Sequence, residues 1–177
     1  MKEKKKYLIN NAKERLYVNI GIGILILAFI IVILLILGSI DLSFIAPRTL
    51  RNFKKLAGNI ALIGFTISFA LFVVRRVMKL SFLKDFKKYI MVLAKYVRQF
   101  HAPIALVAGA FISLHAYFML QHGFIMNTTY ITGLSALILI GIQLIAGFFR
   151  YKRIGVKFHL ILGIITMVLM VIHWLVA

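Results

Sequence analysis

The sequence predicts an all-α membrane protein: a bundle of about five transmembrane helices, with the N-terminus in the cytoplasm and the C-terminus outside. Three observations carry this expectation. Hydrophobic residues make up 63% of the 177-residue chain and its mean hydropathy is +1.01, whereas a soluble domain is about 45–50% apolar. Five apolar runs approach or exceed the roughly 20 helical residues that cross a bilayer core. Lys and Arg concentrate in alternate connections between those runs.

The runs lie at 17 to 40, 57 to 74, 101 to 120, 130 to 149 and 156 to 177. The first, YVNIGIGILILAFIIVILLILGSI, follows the basic MKEKKK. It is longer than the roughly 7–15 residues of a signal-peptide core and no A-x-A site follows, so it reads as a retained anchor. Before it stand six basic residues, between the second and third runs eight, and between the fourth and fifth four; the alternate connections hold four (Arg48, Arg51, Lys54, Lys55) and none. The basic sides are expected to face the cytoplasm. Residues 78 to 98, MKLSFLKDFKKYIMVLAKYVR, mix apolar positions with Lys. They suit either an amphipathic helix on the inner membrane face or a solvated basic loop. No linker or low-complexity tract appears, so residues 1 to 177 read as one transmembrane domain.

Composition also narrows the chemistry. The only acids are Glu3, Glu14, Asp41 and Asp85, none inside an apolar run, so intramembrane carboxylate relays and carboxylate-rich metal sites are not expected. With no cysteine, thiolate zinc, iron–sulfur clusters and covalent C-x-x-C-H haem attachment are excluded. The net charge of +18 fits loops facing anionic lipid rather than nucleic acid.

Histidine placement is the distinctive pattern. FHAPIALVAGAFISLH (100 to 115) and FHLILGIITMVLMVIH (158 to 173) each carry two histidines fourteen residues apart. Fourteen residues complete four turns at the 3.5-residue repeat of a left-handed bundle and rise roughly 21 Å. His101 and His115 therefore share one helix face near opposite membrane surfaces, as do His159 and His173. One span separates the two helices, so they run parallel, and His101 should meet His159 at the inner level and His115 meet His173 at the outer. Two facing imidazoles supply the axial bonds of a six-coordinate haem iron. An isolated interfacial histidine is commonly only a hydrogen-bonded residue; two pairs with one spacing are harder to obtain by chance.

A flat macrocycle needs small residues between its ligands, and Ala105 and Ala108 in one helix and Gly163 and Thr166 in the other lie on the histidine faces. Ile112 and Met170 complete those faces. Haem propionates call for cations at interface depth: Arg98 and Lys157 on the inner side, with Arg150, Lys152 and Arg153 as alternatives. On the outer side Arg48, Arg51, Lys54 and Lys55 suit propionates, an anionic partner or lipid headgroups. His122, in QHGFIMNTTY, lacks a matching histidine and reads as a loop residue. Pro103 removes a backbone donor two residues after His101 and is expected to start or kink the helix there.

His101 and His115 in one span, His159 and His173 two spans later, and the basic RYKRIGVKFH turn before the second pair resemble the ferric reductase-like transmembrane domain over about residues 57 to 177. Cytochrome b of quinol-oxidising complexes is similar in placing paired histidines on two helices. The resemblance implies two haem b groups, with the four histidines as axial ligands, carrying electrons from the cytoplasmic to the extracytoplasmic side. Family members often have six spans and a cytosolic flavin and nicotinamide domain. Here five spans and no G-x-G-x-x-G are found, so electrons are expected from a donor protein, a bound flavin or a quinol, and are delivered to an extracytoplasmic acceptor. The expected location is the cell membrane of a bacterium or archaeon. Two readings of other kinds stand beside this one: a metal-ion transporter, which would ordinarily add carboxylates, and a non-catalytic anchor, which needs no small-residue stripe.

Overall fold

The computed structural model describes residue 9 and residues 11–83, 85–121 and 123–177. The expected His122 loop position therefore lies outside the described residues, as do Lys2, Lys4, Lys5 and Lys6. Among the described residues five α-helices follow one another: α1 (Ala12–Ile36), α2 (Pro47–Val77), α3 (Lys87–Leu120), α4 (Thr128–Tyr151) and α5 (Val156–Val176). All five are long and apolar enough to cross a membrane.

Local chemistry sets their ends. The Asn11 side-chain oxygen accepts from the Lys13 and Glu14 amides at 3.0 and 3.3 Å and starts α1, and Asn127 does the same for α4 through the Tyr130 amide at 2.9 Å. These caps satisfy donors that a first helical turn leaves open. Pro47 occupies the first turn of α2, where its missing N–H costs nothing. The α4–α5 turn uses two left-handed residues, Arg153 (φ 60°) and Gly155 (φ 65°). In the α1–α2 connection Asp41 accepts from the Ser43 hydroxyl at 2.7 Å and amide at 2.8 Å, bonds that hold its carboxyl below the usual range.

Two element boundaries differ from the sequence expectation. α2 begins ten residues before the expected 57, so Arg48, Arg51, Lys54 and Lys55 stand on its first turns rather than in a loop. Hydropathy marks where a helix enters the bilayer, not where its hydrogen bonding starts, and Lys and Arg are good helix formers. Likewise, residues 87 to 98 do not form a separate surface helix or a loop. They are the first third of α3, which continues through Pro103 to Leu120 without a break. A short 3₁₀ turn at Ser81–Leu83 is all the regular structure described between α2 and α3.

Packing places α2, α3, α4 and α5 in a ring: α2 packs on α3, α3 on α4, α4 on α5 and α5 on α2, while α1 lies outside against α3. α3 and α5 thus stand diagonally across the ring. Burial follows the rule for a bilayer solvent, where large apolar side chains gain nothing by hiding from lipid and small ones let backbones approach. Ala57 and Ala61 are 0% exposed and Ala108 1%, whereas Leu27 is 57% exposed. Gly64 of α2 meets Ala108 of α3 so closely that a Cβ there would lie 2.8 Å from the alanine methyl. Between the two histidine levels the ring is filled by Phe65, Ala108, Ala136, Ile140 and Met170.

Candidate functional site

The diagonal helices α3 and α5 carry the four histidines, and the structure brings them together two by two. The His101 and His159 ring centres are 6.2 Å apart with their planes at 84°. Two imidazoles bound in line to one metal have about this separation: two metal–nitrogen bonds of about 2.0 Å, plus about 1.1 Å from each nitrogen to its ring centre. His115 and His173 line one cavity of about 340 Å³, with Ile112, Met170, Gly58 and Gly133 in its wall. That volume falls within the roughly 300–1,000 Å³ of small-molecule and cofactor pockets.

The outer faces of these rings are held by neighbouring helices. His101 Nδ1 lies 2.8 Å from the Ser68 carbonyl and His115 Nδ1 2.9 Å from the Lys54 carbonyl, both on α2. A carbonyl only accepts, so each Nδ1 carries the proton and each neutral ring keeps its lone pair on Nε2. Ser68 and Lys54 are themselves fourteen residues apart, so the antiparallel α2–α3 register repeats with the histidines. Ser68 also donates its hydroxyl to the His101 carbonyl at 3.2 Å. On the other side, His173 Nδ1 lies 3.2 Å from Thr132 Oγ1. That hydroxyl donates to the Thr128 carbonyl at 2.7 Å and so accepts from the ring. His159 Nδ1 is buried and makes no close hydrogen bond, with the Gln143 backbone of α4 as its neighbouring polar contact.

Glycines on the flanking helices give the rings their room. A Cβ on Gly58 would lie 2.9 Å from His115 Nδ1, one on Gly133 2.8 Å from His173 Cε1, and one on Gly147 3.3 Å from His159 Cε1. Gly133 and Gly147 again differ by fourteen, matching His173 and His159 across the antiparallel α4–α5 contact.

The remaining expected site residues are distributed as follows. Ala105 packs beside the central cluster and Ala108 within it, the latter against Gly64. Gly163 faces Gln143 of α4, whose Nε2 would lie 2.9 Å from a Cβ there. Thr166 is buried, its hydroxyl donating to the Leu162 carbonyl at 2.8 Å. Arg98 and Lys157 are exposed at the His101 end of the bundle. The cations whose charge acts on His101 are Arg150 and Arg75, and Arg150 acts on His159 as well. Arg150 was legible only as an alternative, and Arg75 not at all. Gly58, Gly133, Gly147, Ser68, Thr132 and Gln143 were also missed; the fourteen-residue repeat of glycines in α4 was the one signal for them.

Among the described residues, no three of His, Cys, Asp and Glu gather to hold a metal ion by themselves. The donor sets are pairs of imidazoles. Comparison with protein-family models, curated proteins and solved structures returns no match.

Proposed function

We propose that this chain is a transmembrane electron-transfer protein of the dihaem b type, the membrane part of a reductase, in which His101 and His159 would hold one haem iron and His115 and His173 the other. The observation that carries the reading is the paired arrangement itself: two imidazoles at each of two levels between diagonal helices, three of the four with Nδ1 committed to an acceptor. Metal-ligating histidines ordinarily have such a partner, which fixes the tautomer and leaves Nε2 for the metal. The 6.2 Å separation of the first pair and the cavity at the second support the same assignment.

Haem, when bound, supplies a one-electron carrier at each level. The chain's own residues hold, orient and shield it. Gly58, Gly133 and Gly147 admit the rings, and Ser68, Lys54 and Thr132 fix their rotation. Between the levels Ala108, against Gly64, and Gly163, against Gln143, let the neighbouring helices approach. Arg150, with Arg75, Arg98 and Lys157, offers cations to haem propionates at the His101 end, which the charge bias assigns to the cytoplasm. In this reading electrons enter there from a donor protein, flavin or quinol and leave from the His115 end to an extracytoplasmic acceptor, as in the ferric reductase-like domain that the sequence resembles.

The test is a dithionite-reduced minus oxidised spectrum of the purified protein with haem quantified per chain. Two b-type haems are expected, and His115→Ala or His173→Ala should leave one. A colourless protein, or one that binds zinc instead, would favour metal transport or a non-catalytic anchor.

A further inference from the structure

The cavity shared by His115 and His173 also holds a cation that the histidine pairing does not account for. Its wall includes Lys55 and Asn59 of α2 and Thr129 and Tyr130 of α4. The Thr129 hydroxyl donates to the Val176 carbonyl at 2.8 Å and the Tyr130 hydroxyl to the Met119 carbonyl at 3.2 Å, so neither has a proton left to offer a ligand. Among the described residues Lys55 is the only lysine or arginine on that wall. Arg48, Arg51 and Lys54, the other basic residues in the first turns of α2, lie off it. The register that sets the Lys54 carbonyl 2.9 Å from His115 Nδ1 places Lys55 at the height of that ring. Asn59, on the same face one turn on, is neutral and about 6 Å nearer the middle of the bundle.

We propose that Lys55 is the anchor for the propionate edge of the haem held by His115 and His173, and so sets which way that macrocycle faces. The proposal rests on the haem reading above. Axial bonds along the α3–α5 diagonal stand the macrocycle across that diagonal, with its edges toward α2, toward α4 and toward the two membrane surfaces. On the α4 side the wall is Gly133, Leu134, Leu137 and Ile140, which offer a carboxylate nothing. A carboxylate taken into an apolar slot costs free energy unless it is paired, and the α2 side supplies the pair. Lysine suits the position, because its stem lies along apolar surface while the ammonium group stays at the cavity mouth. A cation there favours the haem state with one more electron and raises its midpoint.

Spectroscopic redox titration of the purified protein tests this, with the His115/His173 component assigned as the one that His115→Ala removes. Lys55→Met should lower the midpoint of that component and leave the other in place. Lys54→Met removes the same charge from the neighbouring residue and should shift it less, while Lys55→Arg should hold it near the wild-type value. Should Lys55→Met lose that haem altogether, its return in Lys55→Arg supports the anchor and its absence there overturns it. An unchanged midpoint in Lys55→Met, or an equal shift in Lys54→Met, would make Lys55 one more interfacial lysine and sink the proposal. Wild-type protein with no titrating b-type component would instead overturn the haem reading beneath it.

Discussion

At the scale of single residues, the glycines facing the histidines decide whether a ring can occupy its place. A methyl on Gly133 would lie 2.8 Å from His173 Cε1, inside van der Waals contact, so the ring must rotate away from Thr132. Overpacking of this kind costs typically about 1–3 kcal/mol. On the dihaem proposal, Gly133→Ala should therefore weaken or remove the haem at the His115/His173 level and spare the other. Gly141 provides the control on the same helix: nothing lies within 4 Å of its Cβ position. Gly141→Ala should leave both haems in place and, because alanine is the better helix former by about 1 kcal/mol, should not lower thermal stability. Equal haem loss from both variants would mean that the glycines serve helix packing in general and not the histidine rings.

At the scale of elements, hydropathy revealed five helices but not their extents. The expected 57 to 74 and 101 to 120 segments are the bilayer-length portions of helices of 31 and 34 residues. The surplus is charged, and charge reads as loop when helix and membrane are judged by one index. The histidine pairing, in contrast, was legible, because a fourteen-residue spacing fixes both face and height within a helix. What faces a histidine from the next helix was not, since the phase of α2 or α4 is set by packing that a single sequence does not encode locally. The continuity of α3 is testable because the chain has no cysteine to compete with introduced labels. Spin labels at Lys87→Cys and Leu120→Cys should lie about 50 Å apart along an unbroken helix. A right-angle turn near Arg98, as an interfacial helix followed by a span would make, gives about 37 Å. The shorter distance would restore the separate surface helix and put the phase of His101 in question.

At the scale of the whole molecule, small residues inside and large apolar ones outside imply lipid as the solvent, and the ring of four helices then has a functional consequence. A diagonal pair of helices shares a slot without packing together, and parallel spans repeat that slot at each histidine height, roughly 21 Å apart along the axis. Phe65, Ala108, Ala136, Ile140 and Met170 pack together between the slots, and on the dihaem proposal it is electrons that would cross this interval. The chain reconstituted in vesicles should reduce an impermeant acceptor on the His115 side when reductant is supplied at the His101 side. His115→Ala should abolish that transfer while its remaining haem is still reduced from the His101 side. Transfer that persists in His115→Ala would show that the second level is not on the route, and the stacked arrangement would then have to be explained by something other than crossing the membrane.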